Sequence, residues 1–167
     1  MGLVAKTESS EYGLFASGGI PEFAVHLDRR YAIAKNADFR LEPGRWHHVA
    51  GVFDGSEVRL YVDGARIARA PASGRRTIRA VPLIVGADVD GAGRPSSPFR
   101  GDMDEVRLSS VARYAGAAID PPRRVEPDGE TVLLLHLDRA IGPWTFDAGP
   151  GERHPTVVGE PRVVPVN

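Results

Sequence analysis

The chain has 167 residues and a formal net charge of −1, with 21 basic and 22 acidic side chains. This near-neutral balance gives no support to a general electrostatic attraction to nucleic acid or to an anionic membrane. The lack of cysteine excludes disulfides and thiolate metal sites, and no apolar run approaches the roughly 20 residues that span a bilayer. The length suits one domain, so we predict a single domain over residues 1–167.

Short apolar runs between turn-forming residues predict a chain of many short strands. The 19 glycines and 14 prolines separate these runs. No helical stripe of useful length occurs, and we predict one short helical turn at Ser110–Ala117, capped by Ser109 or Ser110. In chain order, the predicted strands are Gly2–Lys6, Tyr12–Ala16, Glu22–Leu27, Tyr31–Ala34, Arg45–Phe53, Glu57–Val62, Ala65–Ala70, Leu83–Ala87, Phe99–Ser109, Thr131–Leu137 and Arg162–Val166.

Two Asp-Gly pairs mark a hairpin in the first half of the chain. Asp54-Gly55 joins the run that ends at Phe53 to the next strand, and Asp63-Gly64 closes the far end of that strand. These residues tolerate the positive φ of tight primed turns, which makes Asp-Gly a strong local hairpin signal.

Alternation of side chains predicts which faces of the strands are buried. Glu57–Val62 is expected to bury its apolar face and to leave the face with Arg59 and Tyr61 in solvent. Trp46 belongs to the preceding predicted strand and is expected to fill core. Thr131–Leu137 is apolar almost throughout, which predicts a strand buried on both faces.

Five segments together carry a resemblance to a known family: Trp46–Ala50, Leu60–Gly64, Pro82–Gly86, Phe99–Leu108 and Val111–Tyr114. In this order they resemble the bacterial laminin-G-like domains of the concanavalin A-like lectin/glucanase superfamily. The resemblance implies an all-β fold, an antiparallel jelly-roll β-sandwich. Members are mostly extracellular binding or adhesion modules, although some superfamily relatives are glycosidases, so the fold alone does not decide the function.

The order of the segments departs from the family pattern at both ends. The resemblance implies one further strand ahead of Gly2–Lys6, and without it a sheet edge is left open for pairing. Leu134–Asp138, followed by Asp147 and Gly149, resembles a piece found at the start of a family domain, yet here it comes last. We expect residues 138–167 to form a C-terminal extension that packs on the sandwich.

A calcium site is predicted in the loop at residues 86–93. Pentraxins share the superfamily and place calcium ligands in a similar loop, so the resemblance implies calcium as the cofactor to test. Asp88 and Asp90 supply hard oxygen ligands at alternating spacing, and Asp102 adds a third carboxylate. Arg94 works against a divalent ion. The alternative is that both aspartates simply form turns through side-chain hydrogen bonds.

The ligand site is predicted on the rim of the same loop. Its residues are Asp88, Asp90, Arg94 and Ser97, with Trp144 as a further contact. An amphipathic aromatic side chain in a loop-like context can stack on a sugar or anchor a partner. Packing of the tail around Trp144 is the alternative.

Enzyme activity is not predicted. Glycoside hydrolysis needs two carboxyl groups about 5–10 Å apart across a cleft. Asp102 and Asp104 share a face of the predicted strand, but no third acid follows them, and a structural Asp104 bonded to backbone is the alternative. The basic pairs Arg75-Arg76 and Arg123-Arg124 are expected to be solvated loop residues.

These observations predict a non-catalytic binding or adhesion module that recognises a glycan or a protein as part of a larger extracellular protein. No signal peptide follows Met1. The alternatives are a structural or assembly domain that forms a homo-oligomer through its open sheet edge, and a glycosidase-like enzyme. Neither a nucleic-acid partner nor a membrane span is expected.

Overall fold

The structure, a computed structural model, describes residues 1–141 and 143–164, and this part of the chain contains no helix. Every strand pairing in it is antiparallel, which confirms the predicted all-β antiparallel fold. None of the described elements is a helix able to cross a membrane. The strands are β1 (Gly2–Lys6), β2 (Tyr12–Ser17), β3 (Ile20–Leu27), β4 (Arg30–Lys35), β5 (Val49–Phe53), β6 (Glu57–Val62), β7 (Ala65–Pro71), β8 (Ile84–Val85), β9 (Asp88–Val89), β10 (Pro95–Ser96), β11 (Val106–Ser109), β12 (Thr131–Ile141) and β13 (Trp144–Asp147).

Contacts divide the chain into two compact units. Unit 1 comprises Met1–Arg100 and Tyr114–Pro121, and unit 2 comprises Gly101–Arg113 and the described residues from Pro122 onward. Residues 138–141 continue β12, and residues 144–147 form β13. The assignment of 1–167 to a single domain, with 138–167 as an extension on the sandwich, stays a prediction.

Unit 1 is built around two packed sheets. One has the strand order β4-β3-β2-β1-β8 and the other has the order β5-β6-β7, while β9 and β10 form a separate pair. Strand β3 of the first sheet packs against β6 of the second, and their inward side chains form the centre of the core. The buried core residues are Phe23, Val25, Leu27, Ala34, Val58, Leu60 and Ala72.

The predicted hairpin is present, with a turn at each Asp-Gly pair, although only Gly55 of the first pair has a positive φ. Asp63 and Gly64 have φ values of 48° and 83°, as the turn between β6 and β7 requires. In the turn between β5 and β6, the Asp54 carboxylate accepts hydrogen bonds from the backbone N–H groups of Ser56 and Glu57. The backbone angles and hydrogen bonds of these two turns therefore set the register between β5, β6 and β7.

The outer face of β6 is not solvated, so the prediction for Arg59 and Tyr61 is wrong. Both side chains are buried, because the chain from Tyr114 lies over them. The Arg59 guanidinium donates to the Tyr114 carbonyl oxygen at 3.1 Å, and the Tyr61 hydroxyl donates to that of Gly116 at 2.8 Å. Residues 110–117 are irregular, so the predicted helical turn is also wrong.

Trp46 is half exposed at 51%, so its placement in the core is wrong. Strand β5 begins only at Val49, because the preceding residues bond to a turn. One Asp63 oxygen accepts the His48 N–H at 2.9 Å, and the other lies 2.8 Å from Nδ1 of His47. Residues 45–48 therefore form a loop held by this carboxylate, and Trp46 lies outside the strand ladder.

Two other strand predictions need correction. Strand β11 begins at Val106, because residues 99–105 are irregular and Glu105 has a positive φ of 49°. Residues 162–164 of the strand predicted at Arg162–Val166 are also irregular, and the rest of that strand lies outside the described residues.

Unit 2 contains one sheet with the strand order β11-β12-β13. Leu133, Leu134 and Leu135 of β12 are all buried, although successive side chains point to opposite faces. The prediction of a strand buried on both faces is confirmed for this central part of Thr131–Leu137. Between Leu135 and Ala140 the pairing of β12 with β13 shifts register, and Leu137 has a positive φ of 60°.

Candidate ligand-binding groove

The predicted loop rim is a small hairpin in which β9 pairs with β10. Oδ1 of Asp88 accepts a hydrogen bond from the Thr7 hydroxyl and another from the Val89 N–H, both at 2.8 Å. Ser97 is exposed at a positive φ of 45°, and its carbonyl oxygen accepts the Gly2 N–H at 3.3 Å. These bonds join the loop to the first strand of the sheet.

Asp90 closes the tip of this hairpin. Its Oδ1 accepts the backbone N–H groups of Ala92 at 2.9 Å and of Arg94 at 2.8 Å. The hydrogen bond from the Arg94 N–H is the main cause that lowers the pKa of the Asp90 carboxyl group. The Arg94 side chain is exposed, and its Nε lies 3.9 Å from Oδ2 of Asp90. This geometry is that of a turn-forming aspartate.

The three carboxylates predicted to bind calcium belong to different units. Asp88 and Asp90 lie in unit 1, whereas Asp102 is an exposed residue of unit 2. Among the residues that the structure describes, no group of three or more histidine, aspartate or glutamate side chains has a geometry that could hold a metal ion. Calcium binding stays a prediction with no support from the geometry.

A groove opens in unit 2 where β12 and β13 fall out of register. A register shift of this kind bends the strand and separates its neighbours, so side chains there can line a cleft. Phe146 and Ala148 form part of one wall. The full lining comprises Arg124, His136, Leu137, Asp138, Arg139, Thr145, Phe146 and Ala148.

A network of charged residues centred on Glu105 supports the groove. Oε1 of Glu105 lies 2.8 Å from Nδ1 of His136, and Oε2 accepts the Val125 N–H at 2.9 Å. The Arg124 guanidinium lies 3.4 Å from Glu105 and donates to Asp138 at 3.0 Å. The hydrogen bond to Asp138 is the main cause that raises the pKa of Arg124. These contacts fix Arg124, His136 and Asp138 along one side of the groove.

Two aromatic side chains lie on the same face of β13. Trp144 is 52% exposed and Phe146 is 38% exposed, and residues two apart on a strand share a face at a spacing of roughly 7 Å. The Arg139 guanidinium lies 5.1 Å from the centre of the Phe146 ring, and the His154 ring stacks on Phe146 at 5.2 Å. Phe146 is therefore held in place, while Trp144 presents much of its ring to solvent.

The tail pairs with the backbone edge of β13, while Trp144 remains 52% exposed. The Thr145 N–H donates to the Pro155 carbonyl oxygen at 3.0 Å, and the Val157 N–H donates to that of Pro143 at 2.7 Å. Packing of the tail, the predicted alternative for Trp144, is therefore present as backbone pairing.

Sequence reasoning singled out Trp144 as a contact of the Asp88–Ser97 loop, which belongs to unit 1, and it missed this groove with its polar side. Glu105 and His136 are 31 positions apart, so no local spacing connects them. Glu105 follows the acids considered for catalysis, Asp102 and Asp104, which lie in an irregular segment and not in the predicted strand. Asp104 accepts the Glu105 N–H at 2.9 Å, a structural bond to backbone.

A family model matches residues 2–116 of the chain, which is 115 of 167 residues. This model, Laminin_G_3, describes the concanavalin A-like lectin/glucanases superfamily. The groove residues from Arg124 to Ala148 follow the matched part. Neither the curated proteins nor the solved structures contain a match to the chain.

Proposed function

The chain belongs to the concanavalin A-like lectin/glucanase superfamily, and from this membership we propose that it is a non-catalytic binding module. From the side chains of unit 2 we propose further that it binds a glycan through the groove there. Laminin-G-like domains are typically binding modules for carbohydrate or protein, although the superfamily includes glycosidases. Such domains are often extracellular, and we propose the same location for this chain, within a larger protein.

The observation that carries this proposal is the exposed aromatic pair on β13. Exposing large aromatic side chains to water is unfavourable. A cluster of such side chains beside a groove is therefore typical of a ligand-binding site. Trp144 offers a flat apolar face on which a sugar ring can stack with its C–H face, and Phe146, held by Arg139 and His154, extends the apolar surface beside it.

The charge balance of the groove favours a neutral, hydroxyl-rich ligand. Arg124 and Arg139 are matched by the carboxylates of Glu105 and Asp138, so the groove has little net charge. Paired donors and acceptors of this kind satisfy hydroxyl groups, which both donate and accept hydrogen bonds. A glycan therefore fits this groove better than a strongly charged ligand does.

Replacing Trp144 with alanine is expected to weaken binding of a neutral oligosaccharide by roughly 5- to 30-fold, equivalent to about 1–2 kcal/mol of lost stacking and burial. Trp46→Ala is the matched control, because Trp46 is exposed to the same extent but lies in unit 1. The measurement is an oligosaccharide array followed by titration calorimetry on the ligand found. Equal affinities for wild type and Trp144→Ala would overturn the proposed site.

Assembly through an open sheet edge remains a second candidate function, favoured by one observation. β4 forms an edge of the five-stranded sheet in unit 1, and its Ile33 side chain is 43% exposed. Edge strands with exposed apolar residues readily pair with another chain. If a homo-oligomer forms there, Ile33→Lys should shift sedimentation toward the monomer. A wild-type protein that sediments as a monomer at all accessible concentrations would exclude this function.

A further inference from the structure

A second cleft lies in unit 1, at the tip of the hairpin formed by β3 and β4. The hairpin tip contributes one wall, and the segment that follows β7 contributes the other. The two walls are more than 40 positions apart in the sequence. Neither the turn at Asp28-Arg29 nor the pair Arg75-Arg76 therefore predicts the cleft by itself. Its lining comprises Asp28, Arg29, Arg75, Arg76, Thr77 and Ile78.

Backbone hydrogen bonds hold the two walls together. Asp28 and Arg29 form the hairpin turn with positive φ values of 44° and 68°. The Asp28 N–H donates to the Arg75 carbonyl oxygen at 3.0 Å, and Oδ1 of Asp28 accepts the Arg75 N–H at 3.2 Å. The Thr77 N–H donates to the His26 carbonyl oxygen at 3.1 Å. The cleft is thus formed before any ligand arrives.

The cleft carries an excess of positive charge. Arg76 forms an ion pair with Glu11: Nε of Arg76 lies 3.1 Å from Oε2 of Glu11. Arg29 and Arg75 form no ion pair with any residue that the structure describes. The carboxylate in the lining, that of Asp28, already accepts a backbone N–H. Two guanidinium groups are therefore available to an anion beside a third that is fixed in place.

We propose that this cleft is an anion site that takes a sulfate or phosphate ester group. A guanidinium offers a planar fork of N–H donors that matches such oxyanions and stays charged at every physiological pH. Ile78 is 71% exposed at the same cleft and offers an apolar surface to the carbon skeleton that carries the ester. This site is independent of the neutral glycan groove, because its residues lie in unit 1 and its ligand is charged.

The test is a two-dimensional ¹⁵N–¹H NMR titration at low salt with glucose 6-sulfate, glucose 6-phosphate and glucose. We expect either or both esters to shift the amide signals of residues 28–29 and 74–78, and glucose to leave them unchanged. If only one of the two esters shifts these signals, the result tells whether the site binds a sulfate or a phosphate group. If neither ester shifts these signals at millimolar concentration, the proposal is wrong.

The variant Arg29→Asn/Arg75→Gln should weaken the ester response at least fivefold. Asparagine tolerates the positive φ at position 29, so the turn is retained. The matched control is Arg100→Gln/Arg123→Gln, which removes the same charge from two exposed arginines outside the cleft. An equal loss in both variants indicates only general charge attraction and would overturn the proposal.

Discussion

Replacing Asp147 with asparagine is expected to lower the free energy of unfolding of unit 2 by about 2–4 kcal/mol. Asp147 is fully buried at the end of β13. Its Oδ1 accepts the N–H groups of Leu134 and Gly149 at 2.9 and 2.8 Å, and its Oδ2 accepts that of Arg153 at 2.8 Å. An asparagine keeps one acceptor oxygen but turns an NH₂ donor toward the Arg153 N–H, so a buried donor loses its partner.

The same side chain makes the stability of unit 2 dependent on pH. Burial raises the pKa of Asp147, but the hydrogen bonds from Leu134, Gly149 and Arg153 lower it by more, so the folded-state pKa lies below the usual value. Such a group stabilises the fold above its unfolded pKa, about 3.9, and this stabilisation is lost as the pH falls further. The stability difference between wild type and Asp147→Asn should therefore shrink below about pH 4.

The measurement is thermal or urea unfolding of both proteins from pH 7 down to pH 3. Asp102→Asn is the control, because it removes the same charge from an exposed carboxylate of unit 2. We expect the control to stay within about 0.5 kcal/mol of wild type. Equal stability of Asp147→Asn and the control would contradict the role given to this carboxylate.

Replacing Arg59 with methionine is expected to destabilise unit 1 by about 2–4 kcal/mol, because the change removes a buried cation from two partly exposed carboxylates and a carbonyl oxygen. Arg59 donates to Glu57 at 2.7 Å, pairs with Asp54 and donates to the Tyr114 carbonyl oxygen. Methionine preserves much of the packing volume, so the loss reports on the polar contacts. The segment from Tyr114 should also become less protected against hydrogen exchange.

Arg69→Met is the matched control for this change. Arg69 lies opposite Arg59 in the register of β6 and β7 and pairs with Glu57 at 3.3 Å, but its side chain is 62% exposed. Exposed ion pairs contribute at most about 1 kcal/mol. Chemical denaturation should therefore separate the two variants clearly. If both variants lose the same stability, the buried network of Arg59 does not hold the segment in place.

Local signals in the sequence were sufficient for several of the strands and for the Asp-Gly turns. Asp63-Gly64 predicts its own turn, because the required positive φ depends on these two residues alone. The run Leu133–Leu135 is apolar on both faces of the strand, which is enough to predict that both faces are buried. Each of these features depends on residues that are neighbours in the chain.

Features that depend on distant segments were not predictable in the same way. The face of β6 with Arg59 is buried by a segment that lies 55 positions away, and alternation within a strand cannot reveal such a cover. The apolar alternation around Trp46 predicts a core position, but the carboxylate of Asp63, 15 positions beyond His48, holds residues 45–48 as a loop. The pairing of Glu105 with His136 joins a loop to a strand 31 positions away.

The central claim is that the ligand of this superfamily member binds at the groove between β12 and β13. The most direct test is an NMR titration of the ¹⁵N-labelled protein with an oligosaccharide selected on the array. We predict that the largest shift changes fall on residues 136–139 and 144–148. Changes centred on residues 88–97, or the absence of any oligosaccharide that binds, would contradict this account.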